Sequence, residues 1–362
     1  MKTRLDNSIL FFLSFIGFVS KGYKTESFYK NIFNSEISKL ESDFNFWQNE
    51  KEREEKYFLT KNLINSIITK GKPSNYSNKI VSLKNDGCVN FQEFNLNKKS
   101  LEEIFRYLDK KKIYLNHTVP FSKFATKSFK IAKFFSRYGS YNLEDILNCN
   151  ELFNIITNKK LHSLISDYFE CCATISNVNL YWTFPKFGDK LLRSRVSRYH
   201  RDLEDYKTAI LFINLTDTTE FDGGHSYIKG SHKINFLYEN LNNKKIDLLN
   251  INKNKNANNI DGYEISDELV NNELEHKLKI FHGPAGQAII TDNYGLHRAI
   301  APQKPRLVFW LTFSLTQSSN MISLKRSNIL PQSRVMYSNF SGKINKDLLN
   351  KNIFKNLINF EL

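Results

Sequence analysis

Cysteine is scarce in this chain. Four occur in 362 residues (Cys88, Cys149, Cys171 and Cys172), with no Cys-x-x-Cys spacing and no regular framework. A disulfide-stapled scaffold is therefore excluded, and the adjacent pair Cys171-Cys172 is badly placed to bond to itself. All four read as reduced thiols, as expected of a cytoplasmic protein. Long apolar runs are missing too. The stretch from Ile9 to Val19 follows Lys2 and Arg4 and has the shape of a short signal segment. It falls well below the ~20 residues a membrane helix needs, and its exit, Val19-Ser20-Lys21-Gly22-Tyr23, has no small-x-small cleavage site. A helix packed on the core is the favoured reading; membrane association through residues 9–19 is the second. Internal repeats are absent, which excludes a solenoid.

What is present is a folding composition. Hydrophobic residues make up 41% and aromatic residues 14%, and the length allows one large domain or two smaller ones. The formal charge of +15 raises nucleic acid as a partner, since Lys and Arg neutralise phosphates. The lysines, however, are interspersed with asparagine along the whole chain, as in Asn252-Lys253-Asn254-Lys255-Asn256. That is a compositional bias and not a designed stripe, so a small molecule is the expected partner. The oligomeric state stays open.

Three regions follow in order. Residues 1–80 read as a helical N-terminal extension closed by the breaker Gly71-Lys72-Pro73-Ser74-Asn75. Residues 81–318 begin with a strand over Gly87 to Phe94, then a helix from Lys98 to about Lys110, then more helix around 143–172. After these the character turns to β, at Val178–Phe184, Ala209–Leu215, Gln287–Thr291 and Leu307–Ser314. Helices followed by short strands and glycine-containing turns predict an antiparallel sandwich flanked by helices, an α+β chain with a mainly β core. An Asn/Lys-rich insertion at about 233–280 reads as an excursion over one face, equally a lid or a solvated loop. Residues 319–362 form a C-terminal tail.

The chemistry centres on Tyr199-His200-Arg201-Asp202. Along a strand, residues i and i+2 share a face, so His200 and Asp202 project together while Tyr199 and Arg201 point away. A second histidine, His297, closes the run Gly283 to His297, in which a turn, a buried strand and a further turn bring it to a sheet edge. His117, His162, His276 and His282 are worse placed, and His225 and His232 read as capping or packing residues in a turn around Gly230. Arg306 opens the apolar run Arg306-Leu307-Val308-Phe309-Trp310-Leu311-Thr312-Phe313, sharing a face with Val308, Trp310 and Thr312. A guanidinium on a rigid strand suits bidentate pairing with a carboxylate. Two imidazoles and a carboxylate on one ion leave half an octahedron open, as in non-haem Fe(II) oxygenases.

Over roughly residues 80–318 these features together resemble the phytanoyl-CoA dioxygenase family of Fe(II)/2-oxoglutarate oxygenases. The resemblance rests on Asp86-Gly87-Cys88-Val89-Asn90-Phe91, Tyr199-His200-Arg201-Asp202, the segment Gly223 to His232, and the His297/Arg306 pair. Lys229, where proline is usual, and His225 depart from the family's pattern. The resemblance implies a double-stranded β-helix (jelly roll) with Fe(II) on His200, Asp202 and His297. It implies 2-oxoglutarate as cosubstrate with its far carboxylate on Arg306, helped by Thr312 and Ser314, and O2 as oxidant. A carboxylate at Asp202, where related halogenases carry a small residue, implies hydroxylation of a small organic substrate with release of succinate and CO2. Arg198, in parity with His200, and Tyr181 are the candidate substrate contacts. The reading from another class is a non-catalytic jelly-roll protein that binds a sugar or other small molecule.

Overall fold

The computed structural model describes residues 74–115, 125–171, 173–185, 199–202, 206–241 and 265–314, with scattered positions between 53 and 65. The apolar stretch 9–19, Arg198, most of the 1–80 extension, residues 242–264 of the insertion and the tail 319–362 lie outside them. Among the described residues no helix is long and apolar enough to cross a membrane.

Six helices precede or flank the first long strand: α1 (Ser77–Asp86), α2 (Lys98–Leu108), α3 (Phe129–Phe135), α4 (Leu143–Leu147), α5 (Asn150–Ile156) and α6 (Lys159–Phe169). Local chemistry sets their starts. Asn97, Ser128, Asn142 and Asn158 each accept a hydrogen bond from a first-turn N–H, satisfying a donor that the helix itself leaves unpaired. Helix α1 stops at Gly87, whose φ of 74° is left-handed and favours glycine.

The strands are β1 (Cys88–Asn90), β2 (Ile113–Leu115), β3 (Ala125–Thr126), β4 (Tyr138–Ser140), β5 (Thr174–Thr183), β6 (Thr208–Asn214), β7 (His225–Ile228), β8 (Leu278–Phe281), β9 (Ala288–Thr291), β10 (His297–Ala299) and β11 (Arg306–Ser314). They form one sheet in the order β1-β9-β6-β11-β5-β4-β2-β3 and a smaller one in the order β10-β7-β8. Every ladder is antiparallel. Isolated bridges Tyr199↔Ile265 and His200↔His297 lay the Tyr199-His200 segment along the free edge of β10.

Burial explains why β6 and β11 read as nearly continuous apolar runs. Ala209, Leu211, Ile213, Leu307, Phe309, Leu311 and Phe313 face the helices in the main core. Their alternates Ile210, Phe212 and Val308 face the smaller sheet, where they pack with Tyr227 and Phe281. A strand covered on both faces has no polar side to show. A third cluster lies on the other side of the smaller sheet, where Tyr199, Ile228 and Leu296 meet Phe236, Leu241, Ile265, Val270 and Leu274. The order is thus helices, large sheet, small sheet, outer segment.

Two expectations change. The strand foreseen over Gly87 to Phe94 is only Cys88–Asn90; a 3-10 turn over Gln92–Phe94 follows, with Phe91 stacked on Phe94 at 4.8 Å. The insertion is narrower than 233–280. Ile265, Val270 and Leu274 are core residues, and β8 pairs with β7. Buried apolar side chains on both flanks hold these ends in the fold. Cys88, Cys149 and Cys171 are buried, and burial pushes the Cys88 thiol up to about 12.

Candidate active site

His200 and His297 face each other across the edge of the smaller sheet. Each backbone N–H donates to the other's carbonyl at 3.0 Å, so their side chains leave the ladder side by side, with ring centroids 4.5 Å apart. Asp202, two residues on, is tied by its N–H to the Asn293 carbonyl at 2.9 Å. Its carboxylate oxygens stand 3.6 Å from His200 Nε2 and 3.5 Å from His297 Nε2. Among the described residues these three form the one group of His, Cys, Asp or Glu able to hold a metal ion, with ligand atoms within 4.8 Å of one another. Ligands bound at about 2.1 Å and at right angles would stand about 3.0 Å apart, so small side-chain rotations suffice.

The loop before β10 presets these ligands. His297 Nδ1 lies 2.9 Å from the Gly295 carbonyl. A proton on Nδ1 satisfies that contact and leaves the Nε2 lone pair for a metal. Asn293 is nearly inaccessible; its Oδ1 accepts from Thr291 Oγ1 at 2.6 Å, which orients the amide. Its Nδ2 then donates to Asp202 Oδ2 at 2.7 Å and lies 3.3 Å from His297 Nε2. Behind the loop, the buried Asp292 accepts from Tyr168 Oη at 2.6 Å, pairs with Lys207 at 2.9 Å and caps the Tyr294 N–H at 3.1 Å. Arg201 points away from the cluster, donating to the Ser231 carbonyl at 3.0 Å and lying over Tyr294.

Charge is redistributed accordingly. Burial opposes ionisation of Asp202, but His297, His200 and the Asn293 amide outweigh it and hold its carboxyl well below the usual range. Burial likewise works against a charged His297, yet the Asp202 carboxylate raises its pKa.

Arg306 lies across the sandwich interior. It is 5% exposed, and its Nε and Nη2 both donate to Asn214 Oδ1, at 3.2 and 3.1 Å. No carboxylate among the described residues pairs with it. Asp222 acts on it only at a distance and is engaged by the Gln303 N–H. Tyr181, expected as a pocket residue, is buried on the same face. Its hydroxyl is pushed up to about 12 by burial despite the opposing Arg306 charge, and its ring meets Trp310 at 4.8 Å. Thr312 and Ser314 share the Arg306 face as foreseen, but six and eight residues along a strand rising about 3.3 Å each put them about 20 and 26 Å away. They are too distant to help a carboxylate held by Arg306.

Three residues of the site escaped sequence reasoning. Asn214 ends an apolar strand and Asn293 lies two residues beyond one, a signal only in retrospect. His225 was assigned to a turn, but it lies on β7 with its ring 5.6 Å from that of His297. The reason is its strand pairing: β7 runs between β10 and β8 and turns alternate side chains inward. His232 does pack as expected, 3.2 Å from the Lys84 carbonyl.

No protein-family model matches the chain, and no curated protein matches it. Solved structures do resemble it. HygX from Streptomyces hygroscopicus, with nickel and 2-oxoglutarate bound, is 13% identical over 66% of this chain and 87% of that one, with a TM-score of 0.42. EctD from S. alaskensis with bound Fe is 14% identical over 67% and 79%, at 0.41. The non-heme alpha ketoglutarate dependent epimerase SnoN from nogalamycin biosynthesis is 12% identical over 65% and 80%, at 0.37.

Proposed function

We propose that this protein is an Fe(II)- and 2-oxoglutarate-dependent oxygenase that hydroxylates a small organic substrate. The carrying observation is a buried guanidinium, Arg306, that has no carboxylate partner among the described residues and shares the sandwich interior with the His200, Asp202 and His297 cluster. A buried charge left unpaired is costly, so the arrangement fits a bound anion in the functional state.

The donor set fits the metal. Two neutral imidazoles and one carboxylate suit a divalent iron with open positions. The guanidinium fits the cosubstrate: with Nε and one Nη2 hydrogen engaged by Asn214, its Nη1/Nη2 edge is left for a carboxylate. When bound, iron, 2-oxoglutarate and O2 supply oxidative decarboxylation to succinate and CO2, with one oxygen atom entering a substrate C–H bond. The protein's part is orientation. Asn293 and the Gly295 carbonyl hold Asp202 and His297 in their ligating geometry, and Arg306 sets the cosubstrate's direction. Tyr181, Phe212, Val308 and Trp310 keep the interior apolar and exclude water.

The sheet orders β5-β11-β6-β9 and His200 segment-β10-β7-β8 support the double-stranded β-helix reading. The order of the motifs supports the phytanoyl-CoA dioxygenase type, and the Asp202 carboxylate supports hydroxylation. A cytoplasmic enzyme acting on a small molecule remains our reading of the partner and location. The test is an anaerobic titration with Fe(II) and then 2-oxoglutarate, watching for the visible charge-transfer band of the chelate. The band is expected in the wild type and not in Asp202→Ala or His297→Ala. A folded wild-type protein that gives no band would replace this function with the non-catalytic binding-protein reading.

A further inference from the structure

A third imidazole stands beside His297 of the metal cluster. His225 is 3% exposed, and its Nε2 has no hydrogen-bond partner. Two landmarks next to it in the chain locate it. Gly223 comes so close to Arg306 that a Cβ there would lie 3.0 Å from Cδ. Tyr227 sits directly across from His297 in the β7–β10 ladder. Alternate residues of a strand share a face, so His225 projects inward on the side that carries Tyr227 and His297, two residues from the glycine that approaches Arg306.

Its surroundings agree with that position. The ring is nearly parallel to His297, at 23° and 5.6 Å, and packs on Phe212 at 4.8 Å. With its proton on Nε2, the ring offers one N–H donor into this space. It is not a member of the three-residue metal cluster. Buried polar atoms are nearly always paired, and one that is not calls for a partner absent from the protein. A packing role would be served by leucine or phenylalanine without the orphaned nitrogen. His225 is also one of the two positions at which the Gly223 to His232 segment departs from the family's pattern.

We propose that His225 is a cosubstrate contact, with Nε2–H donating a hydrogen bond to a carboxylate oxygen of the dicarboxylate that reaches from the metal to Arg306. This rests on the 2-oxoglutarate reading above and adds to it a contact outside the metal cluster and Arg306. Arg306 fixes one end of the ligand, and His225 fixes its course between that end and the metal.

The experiment measures 2-oxoglutarate binding to Fe(II)-loaded protein under anaerobic conditions, with Fe(II) affinity measured in parallel, for wild type, His225→Phe and His225→Gln. One hydrogen bond to a charged group corresponds to about a 10- to 100-fold change in affinity. His225→Phe is expected to weaken 2-oxoglutarate binding by that factor while Fe(II) affinity stays within about threefold. His225→Gln, which restores a donor, recovers part of the loss. His225→Leu gives the same comparison if phenylalanine crowds Phe212 and the variant does not fold. Unchanged 2-oxoglutarate affinity in the apolar variants would overturn the contact. So would an equal loss of Fe(II) affinity, because His225 would then act by packing on His297. If the wild type binds Fe(II) but takes up no 2-oxoglutarate, the functional reading itself fails, an outcome distinct from a contact that fails with the wild type competent.

Discussion

Replacing Arg306 by methionine tests the cosubstrate pocket most directly, because the side chain keeps its apolar stem and loses only its charged fork. In the folded protein Asn214 engages Nε and one Nη2 hydrogen, leaving the Nη1/Nη2 edge for two parallel bonds to a carboxylate. Hydrogen bonds to charged groups contribute about 1.5–3 kcal/mol each, so two supply about 3–6 kcal/mol. At about 1.4 kcal/mol per tenfold, 2-oxoglutarate should bind roughly 10²- to 10⁴-fold more weakly to Arg306→Met. Lysine at the same position keeps the charge but not the fork and should fall between the two. The assay is anaerobic titration of Fe(II)-loaded protein, with circular dichroism and Fe(II) affinity as controls. A second ligand sharpens it. 2-Oxopentanoate keeps the chelating keto acid and lacks the far carboxylate, so its binding should hardly distinguish wild type from Arg306→Met. A change under about tenfold in 2-oxoglutarate affinity, or an equal loss for both ligands, would refute the pairing of Arg306 with the far carboxylate.

Three further outcomes are expected. Asn293→Ala removes the amide that orients Asp202 and should weaken Fe(II) binding about 10- to 100-fold, read by titration against a competing chelator. Gly223→Ala places a Cβ 3.0 Å from Arg306 Cδ at a φ of +72°, so 2-oxoglutarate binding should weaken and the melting temperature fall, with Fe(II) affinity retained. Burial opposes the charge of Asp292, but Lys207, His232 and Arg53 hold its carboxyl well below the usual range. A carboxyl depressed in the folded state contributes stability above its unfolded value of about 3.9, lost as pH falls through and below that value. Asp292→Asn should therefore destabilise by about 3 kcal/mol at neutral pH and flatten the acid limb of a denaturation profile.

Much of the architecture could be read in advance. The strand expected over Ala209–Leu215 is Thr208–Asn214, and that over Leu307–Ser314 is Arg306–Ser314. Runs of β-branched and aromatic residues with apolar side chains on both faces have few other folds open to them. The pairing of His200 with Asp202 on one face followed from strand parity alone. Parity also misled: Thr312 and Ser314 are on the Arg306 face, yet the rise per residue carries them to the far end of β11. His225 was hidden for another reason. Gly223-Gly224 and Gly230 bracket a strand of only four residues, so local composition spoke for a turn.

The division has a physical basis. Period and residue chemistry are local properties, so the chain by itself determined which segments alternate, which side chains can ligate a metal, and that a guanidinium opens the last strand. Register and sheet partners are non-local. Only the bridge between His200 and His297 brings the ligands together, only the β7–β10 ladder carries His225 beside them, and only the folded loop sets the Asn293 amide against both Asp202 and His297. Those contacts are decided when hydrophobic burial on both faces of the smaller sheet selects one alignment of its strands, because a slip of one residue would turn every inward side chain out.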